Sequence, residues 1–180
     1  MYRDAMKKRK YLKIGDISLP WYDFRTLSST MEVAHELVDE GCSSWVMITA
    51  LHQSAGRGTH GRNWLSQMGK GLWLSLILPP PHNAADLSGL TLECAEVLIQ
   101  TFAVYTNLSF QIKPPNDVVV DGRKIAGLLI ESSTIDGMVR SVILGMGVNL
   151  RQTRKDFMHD CLLHATSLLI ETGTAPEREP

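Results

Sequence analysis

The sequence predicts an α+β fold in which a mixed, largely antiparallel sheet packs against helices on one side. Short apolar segments bounded by glycine, proline and polar residues recur along the chain, as is typical of strands. Two longer segments repeat apolar residues at helical spacing. Asp121-Gly122 and Asp136-Gly137 each join two apolar segments, and this dipeptide favours the two-residue turn of a β-hairpin.

The first helix is predicted to begin after Ser29, because Ser29 and Glu32 form the pattern of a capping box. Four apolar residues then share one helical face: Val33, Ala34, Leu37 and Val38. Gly41 is expected to end this helix. Residues 45–50 and 72–78 are predicted strands. The second is apolar on both faces, which predicts burial on both sides, and the prolines at 79–81 end it.

The second helix is predicted over residues 86–104, and it should pack on the sheet. Residues 110–113 are a short predicted strand that ends before Pro114-Pro115. Residues 118–120, 124–130 and 139–148 complete a three-stranded antiparallel meander around the two Asp-Gly turns. Residues 172–180 are small and polar, so we expect them to fray.

Length and composition are those of one globular domain over residues 1–180, with a formal net charge of −1. This balance argues against a broad nucleic-acid-binding surface. The basic residues 7–10 are expected to be a solvated, mobile terminus. The longest apolar segment is too short to cross a bilayer, and the three scattered cysteines suit reduced thiols. We therefore expect a cytoplasmic protein that binds neither nucleic acid nor membrane.

A polar loop at residues 56–62, Gly-Arg-Gly-Thr-His-Gly-Arg, lies between two predicted strands. Its glycines allow backbone N–H groups to approach a ligand closely, and its arginines offer planar donors to a carboxylate or phosphate. The loop either holds an anion or is a glycine-rich connection with solvated arginines, and the short pattern alone favours neither. It is not a P-loop, because no Gly-Lys-Ser or Gly-Lys-Thr ends it.

Two further segments carry candidate site residues. Pro114 and Pro115 rigidify a turn that presents Asn116 and Asp117, either to a ligand or to the local turn backbone. Lys124 follows a hairpin turn, on a strand whose two faces are both apolar. Strict alternation places its side chain on the face shared by Ala126, Leu128 and Ile130. A lysine there must extend to the rim of the sheet or point into a cleft.

Considered together, these segments resemble the motifs of biotin protein ligases, in the order in which that family carries them. The matching segments are Ser29-Thr30 and residues 53–64, 113–117, 124–131 and 145–150. Residues 53–64 resemble the family's biotin-binding loop, and residues 113–117 resemble its Lys-Trp-Pro-Asn-Asp segment. Residues 124–131 match its Lys-x-x-Gly-Ile-Leu-x-Glu strand. The resemblance covers a core at residues 28–169.

The resemblance implies the biotin/lipoate ligase fold, which is related to that of class II aminoacyl-tRNA synthetases. It implies an ATP-dependent ligase that uses Mg²⁺, activates biotin as biotinyl-5′-AMP and transfers it to a lysine of a biotin carboxyl carrier domain. The first step needs positive charge, because a carboxylate must approach a polyphosphate. The alternatives are a lipoate ligase or octanoyl transferase of the same fold, and a biotin- or nucleotide-binding protein without catalysis.

The family's motifs also imply roles for individual residues. Catalysis is implied for Lys124 and Arg57. The implied biotin-binding residues are Ser29, Thr30, Met31, Gln53, Gly56, Arg57, Gly58, Thr59, Trp64, Lys124 and Gly127. Those implied for ATP and the adenylate are Arg57, His60, Arg62, Trp64, Lys113, Asn116, Asp117, Lys124 and Asn149. Asp117 is also the candidate Mg²⁺ ligand.

Three positions depart from the family's pattern. Met31 stands where Asn is common, Pro114 where Trp is usual, and Thr59-His60 where many members carry Arg-Arg. That arginine pair helps to retain the adenylate, so we expect a weaker hold on the intermediate and labelling of bystander lysines. We also expect neither the N-terminal DNA-binding domain of some members nor the usual C-terminal β-barrel, since few residues flank the core. The expected state is a monomer or a homodimer.

Overall fold

The computed structural model describes residues 6–79, 87, 89–136, 138–158 and 162–176, which form one eight-stranded sheet and three α-helices. The strands are β1 Met6–Ile14, β2 Ile17–Leu27, β3 Val46–Gln53, β4 Gly71–Leu78, β5 Phe110–Lys113, β6 Asp117–Val120, β7 Arg123–Ile135 and β8 Met138–Asn149. The helices are α1 Thr30–Asp39, α2 Leu90–Tyr105 and α3 Leu168–Thr172. Short 3-10 turns span Thr59–Gly61 and Arg154–Phe157.

The strands lie in the order β1-β2-β3-β4-β8-β7-β6-β5. Every neighbouring pair is antiparallel except β2 and β3, which run parallel because α1 connects them. The predicted mixed, largely antiparallel sheet is confirmed, as is the meander of β6, β7 and β8. Asp121 and Asp136 open its two turns with φ of 48° and 51°, the left-handed conformation that such turns use.

Helices cover both faces of the sheet. Successive residues of a strand point to opposite faces. Accordingly, Ile77 and Ile143 pack in the cluster around α1, whereas Leu78 and Leu144 pack in the cluster around α2. The prediction of helices on one side is therefore wrong. A strand such as β4, apolar on both faces, needs cover on both sides, since an open face would leave apolar side chains in water.

The N-terminal hairpin of β1 and β2 lies outside the sequence-based expectations. Residues 7–10, expected to be a mobile terminus, belong to β1, which pairs with β2 along its length. Gly15, with φ of 57°, opens a two-residue turn with Asp16, and a glycine in this first position is a hairpin signal. Lys13 of β1 is exposed, and a charged side chain suits a strand at the edge of a sheet because it discourages pairing with another sheet.

The other elements match the expectations apart from their ends. Ser29 is the N-cap of α1, and its Oγ accepts a hydrogen bond from the Met31 backbone N–H (3.3 Å), while Glu32 accepts one from the Ser28 hydroxyl. α2 begins at Leu90, later than expected. Thr172, expected to fray, ends α3; residues 177–180 of the expected frayed tail lie outside the described ranges. Every described helix is too short or too polar to span a bilayer.

Candidate active site

A cavity of about 560 Å³ opens on the face of the sheet that α1 covers. The predicted site residues that line it are Ser29, Thr30, Met31, Gln53, Arg57, Gly58, Thr59, Arg62, Trp64, Lys113, Asn116, Asp117, Lys124, Gly127 and Asn149. Gly56 and His60 are not in this lining. Gly56 is buried beside Trp64, and His60 lines a neighbouring cavity of about 220 Å³. The structure thus brings nearly all of the predicted residues to one place.

Lys124 lies on the opposite face from the one that strict alternation predicts. Consecutive residues of β6 pair with Lys124 and with Ala126, so Ile125 is an extra residue that forms a β-bulge in β7. Ile125 and Ala126 both pack in the cluster around α2. Lys124 consequently shares the α1 face with Gly127, where a Cβ would lie 3.0 Å from Lys124 Nζ. The lysine therefore points into the cavity.

The Lys124 ammonium group lies between a carboxylate and an aromatic ring. Its Nζ is 2.6 Å from Asp117 Oδ1 and 4.9 Å from the centroid of the Trp64 ring. Its backbone N–H donates to the carbonyl of His164 (2.7 Å), and its carbonyl accepts from the N–H of Thr166 (2.8 Å). Side chain and backbone are both held, so the positive charge is fixed at the wall of the cavity, where an anion can approach it.

Glu171 of α3 anchors the segment that pairs with the Lys124 backbone. Its buried carboxylate accepts hydrogen bonds from Arg123 Nη2 (2.9 Å) and from the Thr166 hydroxyl. Arg123 also lies 3.8 Å from Asp121, but that carboxylate is 78% exposed and the contact is correspondingly weak. The residue before Lys124 is thereby clamped to α3, which helps to hold the Lys124 backbone in place.

Trp64 lies over two glycines. Gly127 and Gly147 are paired neighbours on β7 and β8. A Cβ on Gly147 would lie 2.4 Å from Trp64 Cε2, and one on Gly127 would lie 2.8 Å from Trp64 Cζ3. Trp73 packs edge-on against the same ring, with centroids 6.4 Å apart. Gly127, predicted as a biotin contact, makes room for Trp64 and Lys124. Gly147 performs the same role and was not among the predicted site residues, although it lies in the matched segment 145–150.

Near α1 the cavity wall is a hydrogen-bonded polar network. Gln53 Oε1 accepts from the backbone N–H of Thr30 (2.7 Å) and from its hydroxyl (3.0 Å). Gln53 Nε2 donates to Ser66 Oγ (2.7 Å), and Ser75 donates to Thr30 Oγ1 (2.8 Å). All of these side chains are buried. A satisfied network of this kind is rigid.

The loop at residues 56–64 is a small hairpin held by its own groups. The Trp64 N–H donates to the Gly56 carbonyl (2.8 Å). A Cβ on Gly56 would lie 2.5 Å from the Trp64 carbonyl, so only glycine fits there. His60 adopts a left-handed conformation with φ of 56°. The Arg62 guanidinium folds back onto Thr59 Oγ1 (2.9 Å). The loop therefore has a defined conformation, and several of its residues line the cavity.

Arg57 lines the cavity with its guanidinium paired. Its Nη2 donates to Glu131 Oε1 (3.1 Å), and His35 Nε2 lies 2.6 Å from Glu131 Oε2. Glu131 ends the matched segment 124–131, yet the resemblance assigns it no role. The Arg57–Glu131 bond joins residues 74 positions apart. A pairing over that distance leaves no local pattern in the sequence.

Asn116 and Asn149 both use their side chains within the protein. Asn116 Nδ2 donates to the Leu128 carbonyl (2.7 Å), so its amide joins the turn to β7. A bond to the protein backbone was one of the two alternatives for this residue. Asn149 Oδ1 accepts from Gln152 Nε2 (3.0 Å), and Gln152 is buried. Asp117 is the one carboxylate among the described residues that line the cavity. Within the described ranges, no group of three His, Cys, Asp or Glu could hold a metal ion.

Residues beyond β8 complete the cavity and were not predicted: Phe157, Leu162, His164 and Ala165. Asp156 fixes the turn that carries Phe157. Both of its carboxylate oxygens lie 2.6 Å from Lys70 Nζ, and Oδ2 accepts from the Thr153 backbone N–H (2.7 Å). Partial burial acts to raise the pKa of Asp156, but the bonds from Lys70 and Thr153 outweigh it and lower that pKa to about 2. No pattern in the sequence relates residues 153–165 to Lys124.

The sequence profile of the biotin/lipoate A/B protein ligase family matches residues 24–149, which include β3, the loop, Lys124 and Gly147. The chain belongs to this family. Within it, the bifunctional ligase/repressor BirA of Bacillus subtilis is 38% identical over 152 residues, which cover 84% of this chain and 47% of that protein. The biotin–[acetyl-CoA-carboxylase] ligase of Paracoccus denitrificans is 37% identical over 110 residues, 60% of this chain and 45% of that protein.

A solved member of the biotin/lipoate A/B protein ligase family has the same fold. The biotin protein ligase from Aquifex aeolicus, in complex with biotin and ATP, superimposes with a TM-score of 0.66 over 89% of this chain and 63% of that one, at 30% identity. The chain spans about half the length of the two bacterial sequence relatives. The family and the α+β fold expected from the motifs are thus confirmed for the region that the chain covers.

Proposed function

We propose that the chain is an ATP-dependent biotin ligase, which forms biotinyl-5′-AMP and transfers the biotinyl group to a lysine of a biotin carboxyl carrier domain. Lys124 carries the proposal, because its ammonium group is fixed between Asp117 and Trp64 at the wall of a cavity of about 560 Å³. A cavity of this size suits a small-molecule ligand. A relative named as a biotin ligase, and a solved relative that holds biotin and ATP, support the same substrates.

In the first step the biotin carboxylate attacks the α-phosphorus of ATP. A bond forms between the carboxylate oxygen and phosphorus, the bond from phosphorus to the oxygen bridging to the β-phosphate breaks, and pyrophosphate leaves. Both reactants are anionic, so a cation that is already in place lowers the barrier without reorganisation. Lys124 is such a cation, since Asp117 and the backbone of residues 164–166 hold it.

In the second step the amine of a carrier lysine attacks the carbonyl carbon of the mixed anhydride. The amide bond forms, AMP leaves with the electron pair of the cleaved C–O bond, and the amine proton passes to solvent. The adenylate must be kept from water between the two steps. Arg57, Gly58, Thr59 and Arg62 of the loop line the same cavity, which supports a role for the loop in shielding the adenylate.

Asp117 can supply one carboxylate oxygen to Mg²⁺, which usually binds through one or two carboxylates together with substrate phosphates. The ion would offset the phosphate charge. With only one carboxylate in the described lining, we propose that it arrives with ATP. We also propose a cytoplasmic location, because the free thiols of Cys42 and Cys94 suit a reducing compartment.

The test supplies the purified chain with biotin, ATP and Mg²⁺, with and without a biotin carboxyl carrier domain. We expect pyrophosphate release with biotin, and biotin on the carrier in a gel. Faster release with lipoate or octanoate would assign the chain to the other branch of the family. Biotin binding without pyrophosphate release would identify a binding protein. A bystander protein in the same reaction tests whether Thr59-His60 lets the adenylate escape: bystander labelling is expected.

A further inference from the structure

We propose that Glu131 is a positioning residue, which holds the loop at residues 56–64 in place through Arg57, and that His35 of α1 supports it. We call the hydrogen bond between Arg57 and Glu131 the tether, and it is present in the chain without ligands. Its effect on catalysis rests on the proposed function.

Glu131 joins three parts of the structure that are distant in sequence: β7, the loop and α1. Each carboxylate oxygen has its own partner, since Oε1 accepts from Arg57 Nη2 at 3.1 Å and Oε2 lies 2.6 Å from His35 Nε2. A carboxylate can accept from both sides at once. It is therefore the shared member that brings the loop and α1 together.

The remaining polar contacts of the loop lie mostly within it. Arg62, its other arginine, bonds to Thr59 Oγ1, and the Trp64 N–H bonds to the Gly56 carbonyl. Arg57 is thus the arginine of the loop whose guanidinium reaches the sheet. Breaking this contact removes the hydrogen bond by which the guanidinium of Arg57 joins the loop to β7.

Glu131 occupies one of the five guanidinium N–H groups of Arg57. The others can meet an anion in the cavity, which Arg57 lines. A guanidinium that is already placed spares the ligand the entropic cost of ordering the loop. A loop that is open part of the time weakens apparent binding in proportion to the competent fraction. The side chains of Arg57 and Glu131 are 43% and 27% exposed, so the tether is modest in strength.

Trypsin cleavage after Arg62 in the ligand-free protein reports the tether directly, because Arg62 is present in every variant. Glu131→Gln keeps the shape but removes the charge, and cleavage should increase about two- to fivefold, in line with an exposed ion pair. Arg57→Gln should give the same increase, and the double variant no more than either single one. Glu36→Gln is the matched control, since it makes the same change at an exposed position of α1.

Unchanged cleavage in Glu131→Gln would overturn the proposal, and so would increases that multiply in the double variant, because Glu131 would then act independently of Arg57. Arg57→Gln tests the tether from the other side if Glu131→Gln does not fold. His35→Ala should raise cleavage less than Glu131→Gln does. If His35→Ala is cleaved at the same rate as the wild type, His35 does not support Glu131.

KM and kcat for pyrophosphate release distinguish a residue that positions the loop from one that only stabilises the fold. Glu131→Gln should raise KM for biotin and ATP in pyrophosphate release about two- to fivefold, with a smaller change in kcat. A fall in kcat at unchanged KM would overturn the positioning role. A wild-type chain that releases no pyrophosphate would refute the proposed function, while the cleavage rates would still decide whether the tether exists.

Discussion

Gly127 and Gly147 are paired across β7 and β8, and the indole of Trp64 covers both. Because the ring occupies the space where side chains would stand, this part of the cavity floor is made of backbone and one tryptophan. Lys124 rests against the same ring, at 4.9 Å from its centroid. The position of the lysine therefore depends on two residues that have no side chain.

Gly147→Ala should displace the Trp64 ring, because the new Cβ would lie 2.4 Å from Cε2. We expect unfolding free energy to fall by about 1–3 kcal/mol, as overpacking usually costs, and adenylate formation to slow. Urea denaturation and pyrophosphate release measure the two effects. Gly145→Ala is the control on the same strand for the unfolding free energy, since its Cβ would meet the flexible thioether of Met31 at 2.8 Å. Equal losses in both variants would refute the role of the ring.

Lys124→Ala removes the cation fixed by Asp117. Adenylate formation should fall by about two to three orders of magnitude, the loss that follows removal of one preorganised charge-stabilising group. Pyrophosphate release at saturating biotin and ATP measures it. Lys13→Ala, at an exposed position of β1, controls for the loss of a lysine. Should Lys124→Ala keep a rate within about threefold of the wild type, another group performs this step.

Glu171→Gln should loosen the clamp on the residue that precedes Lys124. Its carboxylate is nearly buried and bonds to Arg123 and Thr166, so we expect a loss of about 1–3 kcal/mol in unfolding free energy. Adenylate formation should slow about tenfold through misplacement of the lysine. Asp121→Asn removes the exposed carboxylate near the same arginine and should change neither quantity. A comparable loss in Asp121→Asn would contradict the assignment of the clamp to Glu171.

Asp156→Asn tests the pKa of about 2 that Lys70 and Thr153 impose. A carboxyl group whose pKa is lower in the folded than in the unfolded protein stabilises the fold above its ordinary pKa of 3.8, and this contribution disappears as pH falls toward 2. We expect the variant to be less stable at neutral pH by about 1 kcal/mol, given the partial exposure of the pair. Urea denaturation at pH 7 and pH 3 should show the difference shrinking. A difference that is constant with pH would point to packing alone.

Local chemistry predicts much of this fold. The N-cap at Ser29, the two Asp-Gly turns and the doubly apolar β4 all depend on neighbouring residues, and each is confirmed. The β1–β2 hairpin escapes prediction because the charged segment at residues 7–10 shows no apolar alternation, and the turn at Gly15 is its clearest local signal. The faces that α1 and α2 cover depend on the sheet order, which short-range patterns do not contain.

The candidate site divides in the same way. Motif resemblance predicts the residues that gather around Lys124, because the family's segments are contiguous and keep their order. It does not predict that Arg57 pairs with Glu131, nor that Phe157 closes the cavity, since both contacts join distant parts of the chain. The face on which Lys124 lies is missed for a third reason: alternation fails wherever one strand carries an unpaired residue.

Because Ile125 is unpaired, the face on which the Lys124 amine lies depends on the number of residues in β6. One residue inserted into β6 between Val118 and Val119 would give Ile125 a partner and restore regular alternation. Lys124 would then lie on the same face of the sheet as Ala126. Its amine would be among the apolar side chains that pack against α2. Such a chain would keep every motif residue of the family, and under the proposed function we expect it to form no adenylate. The number of residues between the Lys113–Asp117 segment and Lys124 is therefore as informative as the presence of the lysine.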